Sequence, residues 1–410
     1  MAEFTYAIVY IIAALAGFAA GIITGILPGL HINLVAVVVA SLLYGNRNFA
    51  NPESSLAAAV FILAMSISHV FHDFLPSIFL GFSESEAALA ALPGHRMLLR
   101  GEGRKAAMLA AFGALIGVVA LACLSPMLLL IIKPLFVATK SYVLLILAAV
   151  VILQVARSQT IKDAGVRALI VALSGAFGIA VFRLPNLNQP LLPMFSGLFG
   201  LSSLIGGLLH RSSFPIQHSN AEIKIKKPLV AAKTVAVGLL SSSLMGLFPS
   251  LGPAQAALLG TVVLGKIKAP AYVFLLGVIS SASMLFALLT LYSFGKARNG
   301  SIAVMGNIMP LTKDSTILFL IVAVIVAFLS CMSVLFLSRL FIQLTAKINY
   351  ALLSWAVIIL IALFVATFSG LIGLLVLAVA AAIGMIPVLT KSSRQLLMAC
   401  LMVPVIGYYL

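Results

Sequence analysis

The chain has 410 residues, is 63% hydrophobic with a mean hydropathy of +1.24, and carries only 8% charged residues. An ordinary soluble domain has about 25% charged residues, so the composition excludes one and describes a polytopic membrane protein. At about 20 apolar residues per crossing there is room for about 11 to 14 membrane segments. The formal net charge of +16 comes from 25 Lys+Arg against 9 Asp+Glu. Those charges are scattered among short loops, which argues against nucleic-acid binding and fits cytoplasmic loops facing anionic lipid. An anionic substrate would add to the same bias.

Apolar segments fall at about 5–27, 32–44, 56–81, 106–132, 141–156, 165–182 and 189–209. A basic stretch follows, with Lys224, Lys226 and Lys227, and then segments at about 234–248, 252–265, 271–294, 314–338, 350–368, 370–389 and 395–410. The N-terminus lacks a basic region before its first apolar run, so that run is expected to be a permanent helix rather than a cleaved leader. Cys123, Cys331 and Cys400 all lie in apolar segments without metal-ligand spacing and read as small buried hydrophobes.

The basic stretch divides the chain into a first membrane repeat at 1–210, a cytoplasmic linker at 211–233 and a second membrane repeat at 234–410. Seven segments per half would put the halves in opposite orientations, an inverted-topology repeat. With the linker inside, the loops holding Arg157, Lys162 and Arg167, Arg96 to Lys105, Lys266 and Lys268, Arg339 and Lys347, and Lys391 and Arg394 all fall inside. Lys133 with Lys140 and Lys296 with Arg298 are the misfits. Segments 32–44 and 252–265 are short enough to be half-helices.

Two loops break helices at corresponding places. The first is Gly25-Ile26-Leu27-Pro28-Gly29-Leu30-His31-Ile32-Asn33, and the second is Gly246-Leu247-Phe248-Pro249-Ser250-Leu251-Gly252-Pro253. Proline removes a backbone donor and clashes with the preceding turn. The exposed N-termini of the half-helices that follow carry partial positive charge and unpaired N–H groups. Met together near midplane, they would hold a carboxylate or phosphate. Gly25, Pro28, Gly29, His31 and Asn33 with Gly246, Pro249, Ser250 and Gly252 are therefore the substrate-binding candidates. A packing kink is the plainer explanation for any single Gly-x-x-Pro; the repeat favours function.

Inside the third apolar segment, His69, His72 and Asp73 stand at i, i+3 and i+4 and share one helix face. An ionisable group within an apolar span is costly and a functional candidate, here for H⁺ or Na⁺ coupling. The competing readings are a buried pair that fixes packing and an incomplete metal site. The matching span in the second half keeps only hydroxyls, Ser281 and Ser283 among them, which are also common helix–helix hydrogen-bonding residues. Arg96 and Arg298 follow the next breaks and could guide an anion or meet lipid headgroups. No phosphate-binding Gly-rich loop, nucleophile triad pattern or zinc spacing occurs, so neither ATP-driven transport nor an enzyme is expected. No cofactor is expected either, beyond a coupling ion.

Gly25-x-x-Pro28-Gly29, the run Leu92-Pro93-Gly94-His95-Arg96-Met97-Leu98-Leu99-Arg100-Gly101-Glu102-Gly103, and Gly246-x-x-Pro249 resemble, in order, the large membrane subunit of tripartite tricarboxylate transporters. Ser68 to Ser77 and Leu289 to Gly300 are similar to a shorter archaeal branch of that family. The resemblance implies a cation-coupled secondary transporter of di- or tricarboxylates such as citrate. It also implies a small membrane subunit and an extracytoplasmic binding protein as partners, although the short branch could act alone. His31, Asn33 and Ser250 depart from the family's small residues. The Pro-Gly pattern resembles, more distantly, carriers of polyprenyl phosphate, which keeps a lipid-linked phosphate translocase as the alternative. A homodimer is common among transporters of this size, with no interface pattern visible in the sequence. The expectation is thus an all-α inverted-repeat transporter of the cell membrane with an anionic substrate.

Overall fold

The computed structural model describes residues 2–27, 32, 35–36, 39–40, 52–79, 88–209, 216–218, 228–247, 252–265, 267–345 and 350–410. Among these the chain is helical and has no strand. The first half holds α1 (Ala2–Ile26), α2 (Pro52–His72), α3 (Phe74–Phe79), α4 (Ala88–Leu98), α5 (Gly103–Thr139), α6 (Val143–Ala156), α7 (Ile161–Arg183), α8 (Leu191–Phe195) and α9 (Ser202–Leu209). A π-helical turn, Ser196–Leu201, joins α8 to α9. The second half holds α10 (Pro228–Leu247), α11 (Pro253–Leu264), α12 (Ala269–Phe294), α13 (Gly300–Ile308), α14 (Lys313–Thr345) and α15 (Tyr350–Leu389). A 3₁₀ turn, Arg394–Met398, leads into α16 (Ala399–Tyr409).

Among the described residues nine helices are long and apolar enough to cross a membrane, and three more apolar helices are shorter. These twelve fall within the range read from the sequence. Their outward faces keep large apolar side chains exposed, such as Ile12, Leu130, Leu145, Phe336 and Leu371. That surface would cost a soluble protein dearly and suits lipid contact. The division expected between 368 and 370 is present: α15 is two helices that meet at Gly370, whose φ of 66° and ψ of −165° are non-helical and open to glycine alone.

The centre of the molecule is α12, the most buried of the described spanning helices. It crosses α5 at backbone contact. A Cβ on Gly113 would stand 2.2 Å from the Phe274 carbonyl oxygen, and one on Gly277 2.2 Å from that of Ala110. The Ser281 hydroxyl donates across this crossing to the Ala114 carbonyl at 2.7 Å. Helices in lipid gain little from apolar burial against each other, so small residues that allow close van der Waals contact and interhelical hydrogen bonds do this work. The same device joins α1 to α2, where Gly17 and Gly21 face the carbonyls of Phe61 and Met65.

The described part of the central linker is docked. His218 N–H donates to the Gly101 carbonyl at 2.9 Å. The Gln217 side chain accepts from Gly103 N–H and donates to the Leu98 carbonyl, both at 3.0 Å. Gly101, at φ 81°, makes the turn that receives it. The stretch between the halves is therefore tied at this point to the turn joining α4 to α5.

Candidate functional site

The second broken loop ends at the N-terminus of α11. Gly252 is the residue before the helix and Pro253 its first position, where a missing N–H costs nothing. Three residues on, the Gln255 side chain turns back and its Oε1 accepts the Gly252 N–H at 3.1 Å. This is the reciprocal half of a capping box. It also fixes the amide's orientation: the oxygen is used, and Nε2 is left as a donor. Gln255 is 0% exposed, and among the described residues this Nε2 has no hydrogen-bond partner. A buried amide donor without an acceptor costs about 1–3 kcal/mol. Beside the partial positive charge of a helix start, it fits an anionic acceptor.

Of the substrate-binding candidates, Gly25, Gly246 and Gly252 are described; Pro28, Gly29, His31, Asn33, Pro249 and Ser250 lie outside the described residues. Gly246 lies flat against Phe286 of α12, where a Cβ would come within 2.0 Å of the ring. Gly25 packs on the end of α2, where a Cβ would stand 2.7 Å from the His69 carbonyl oxygen, 2.8 Å from His72 Cβ and 3.1 Å from Asp73 N. The chain thus enters the first broken loop directly beside the His-x-x-His-Asp motif. The structure brings these two sequence features together.

The histidines face different neighbours. His72 is 0% exposed. Its Nδ1 lies 2.7 Å from the Ser68 carbonyl, which can only accept, so Nδ1 carries the proton. In the neutral ring Nε2 is then the acceptor, and Ser333 Oγ of α14 lies 3.0 Å away to donate. The Ser68 hydroxyl in turn donates to the Phe18 carbonyl of α1 at 2.8 Å. His69 Nδ1 pairs with Thr24 Oγ1 of α1 at 3.1 Å. Asp73 stands half-buried in the turn between α2 and α3. These side chains form a polar seam through α1, α2 and α14. They do not gather at a point, and among the described residues no three His, Cys, Asp or Glu side chains form a metal-ligand group.

Ser281 spends its hydroxyl on the α5 crossing, and Ser283 donates to its own helix at the Ser280 carbonyl, 2.8 Å away. Both act as helix-satisfying hydroxyls here. Arg96 and Arg298 are exposed, the first on α4 and the second just before α13. Thr24, Ser333 and Gln255 were not among the residues singled out from sequence. Gln255 had a signal, since it stands at the third position after a Gly-Pro helix start. Thr24 and Ser333 had none, because isolated hydroxyls in apolar helices are common.

Long apolar helices and an outward apolar surface define a multi-pass integral membrane protein. A family model described as the tripartite tricarboxylate transporter TctA family matches residues 11–399, and the chain belongs to that family. It is a family of transporters, not of enzymes, whose members are permease subunits of tripartite systems. The chain is also 27% identical over 402 residues to an uncharacterized protein of Methanocaldococcus jannaschii, covering 93% of this chain and 94% of the relative. No solved structure matches it significantly.

Proposed function

We propose that the chain is an H⁺- or Na⁺-coupled secondary transporter of an organic anion, a di- or tricarboxylate, held between the broken helices of two inverted repeats. The observation that carries this reading is Gln255 Nε2, a buried donor without an acceptor among the described residues, at the opening of α11. The family supplies the substrate class. The repeat reading draws support from element order: with the short α3 and α11 set aside, a helix that ends at a Gly-x-x-Pro loop, a long helix, a short helix and a very long helix occur in that order as α1, α2, α4 and α5, and again as α10, α12, α13 and α14.

The seam of His69, His72, Thr24 and Ser333 is the proposed coupling element, with Asp73 at its end. It touches three helices and adjoins the first broken loop, so a charge gained there would alter how α1 and α14 pack on α2. A small membrane subunit and an extracytoplasmic binding protein follow from the family and would deliver substrate to the outer face.

Calorimetric titration of the purified protein with citrate tests the site. Gln255→Leu removes the donor at nearly constant volume and should weaken binding about tenfold, the value of one hydrogen bond to a charged group. Equal citrate affinity in the variant would refute the site. Tight binding of a short-chain polyprenyl phosphate with no binding of citrate would instead make the chain a lipid-phosphate carrier.

A further inference from the structure

Two cavities lie where the end of α6, the start of α7, the loop between α11 and α12, and the Arg394–Met398 turn meet. They adjoin and share Arg157. The inner one, about 20 Å³, is lined by Gln154, Arg157, Arg167, Ser393, Gln395 and Leu396. The outer one is an open cleft of about 550 Å³ whose walls include Arg157, Val262, Ile267 and Tyr272. An inner volume of that size admits one oxygen-sized group.

The inner wall is rich in donors. Gln154 is 4% exposed, and its Nε2 has no hydrogen-bond partner. The Arg157 guanidinium lines both cavities. Arg167 is committed elsewhere: its Nε pairs with Asp163 at 2.9 Å and its Nη1 donates to the Gln154 carbonyl at 3.2 Å. Those bonds occupy the Asp163 carboxylate and offset the partial negative charge at the end of α6. The other polar residues lining the inner cavity are Arg157, Ser393 and Gln395, beside Gln154, whose Nε2–H is unpartnered among the described residues. The outer wall is different in kind. Val262 is 58% exposed, and Ile267 and the Tyr272 ring continue an apolar wall.

We propose that this pair of cavities binds a phosphate-bearing anion, with one phosphate oxygen against Gln154 Nε2 and Arg157 and the remainder of the ligand in the outer cleft. A lipid headgroup and a free phosphate share this chemistry; the apolar outer wall fits a lipid whose chains lie along Val262 and Ile267. Basic pockets between membrane helices recognise anionic headgroups in this way, and the guanidinium supplies a charge-assisted bond. The site is separate from the α11 opening and does not depend on the transport reading.

Thermal melting of the full-length protein in neutral detergent tests it, with dioctanoyl phosphatidylglycerol, dioctanoyl phosphatidylcholine and inorganic phosphate titrated separately. A ligand that binds only the folded state raises the midpoint by mass action. Phosphatidylglycerol should raise it and phosphatidylcholine should not. Gln154→Leu and Arg157→Ala should each weaken the apparent affinity about tenfold, while Gln255→Leu leaves it unchanged. An equal, variant-sensitive rise with inorganic phosphate assigns the site to free phosphate, and a rise with phosphatidylglycerol alone assigns it to lipid. No rise with either, or a rise that survives both variants, overturns the proposal. Arg157 is exposed at a helix end, so its replacement keeps the test valid should Gln154→Leu fold poorly.

Discussion

His72 accepts from one helix and donates to its own, with no exposed atom, and so acts as a junction between α2 and α14. His72→Ala would leave the Ser68 carbonyl and the Ser333 hydroxyl short of a partner and open a cavity. A loss of about 2–3 kcal/mol is expected, read as a lower melting midpoint; a midpoint equal to that of the unaltered protein would contradict this. Ser333→Ala removes only the hydroxyl and should cost about 1 kcal/mol. At this scale the sequence was legible where a residue was out of place. Histidines in an apolar run announce themselves; the glutamine at the third position of a Gly-Pro helix start carried a signal that was missed. Which atoms they meet was not legible. Thr24 and His69 are 45 positions apart, and His72 and Ser333 are 261 apart. Only the packing of α1 and α14 on α2 decides those pairs.

Elements meet here through small residues more than through large ones. Gly277 has no room for a methyl group because the Ala110 carbonyl is in the way, so Gly277→Ala must push α12 off α5. A cost of about 1–3 kcal/mol follows. Gly165, in the first turns of α7, has nothing within 4 Å of where a Cβ would stand. Gly165→Ala should therefore raise stability by about 0.5–1 kcal/mol through helix propensity alone. Paired melting curves check both signs, and a destabilised Gly165→Ala or a neutral Gly277→Ala would contradict the packing described. Helix extents were mostly legible from apolar runs. The boundary expected near 370 is where two helices meet, since a single glycine at positive φ redirects the chain without a loop. The α5–α12 crossing was invisible in sequence, because periodicity reports that a face is small but not which helix it meets.

The whole molecule gathers its basic loops. Arg157, Gly265 and Ile267 line one cleft, and Arg157 lines the adjoining cavity with Ser393 and Gln395. Three of the five loops that charge counting put on the cytoplasmic side are thus neighbours in the structure. Single cysteines at Lys162, Lys268 and Lys391, all exposed, in a Cys123→Ser background should react with an impermeant thiol reagent from one side of the membrane only, the inside. Labelling from opposite sides would break the topology. Class and family were legible in composition and motif order, because hydropathy and helix-breaking residues act locally. The substrate was not, since it depends on a few donors brought together across the whole chain.

Uptake of labelled citrate into proteoliposomes, under an imposed inward H⁺ or Na⁺ gradient, tests the central claim most directly. The account predicts accumulation above equilibrium that needs one of the two gradients and falls about tenfold in initial rate at subsaturating citrate in Gln255→Leu. Gradient-independent uptake, or a Gln255→Leu rate equal to that of the unaltered protein, would contradict it.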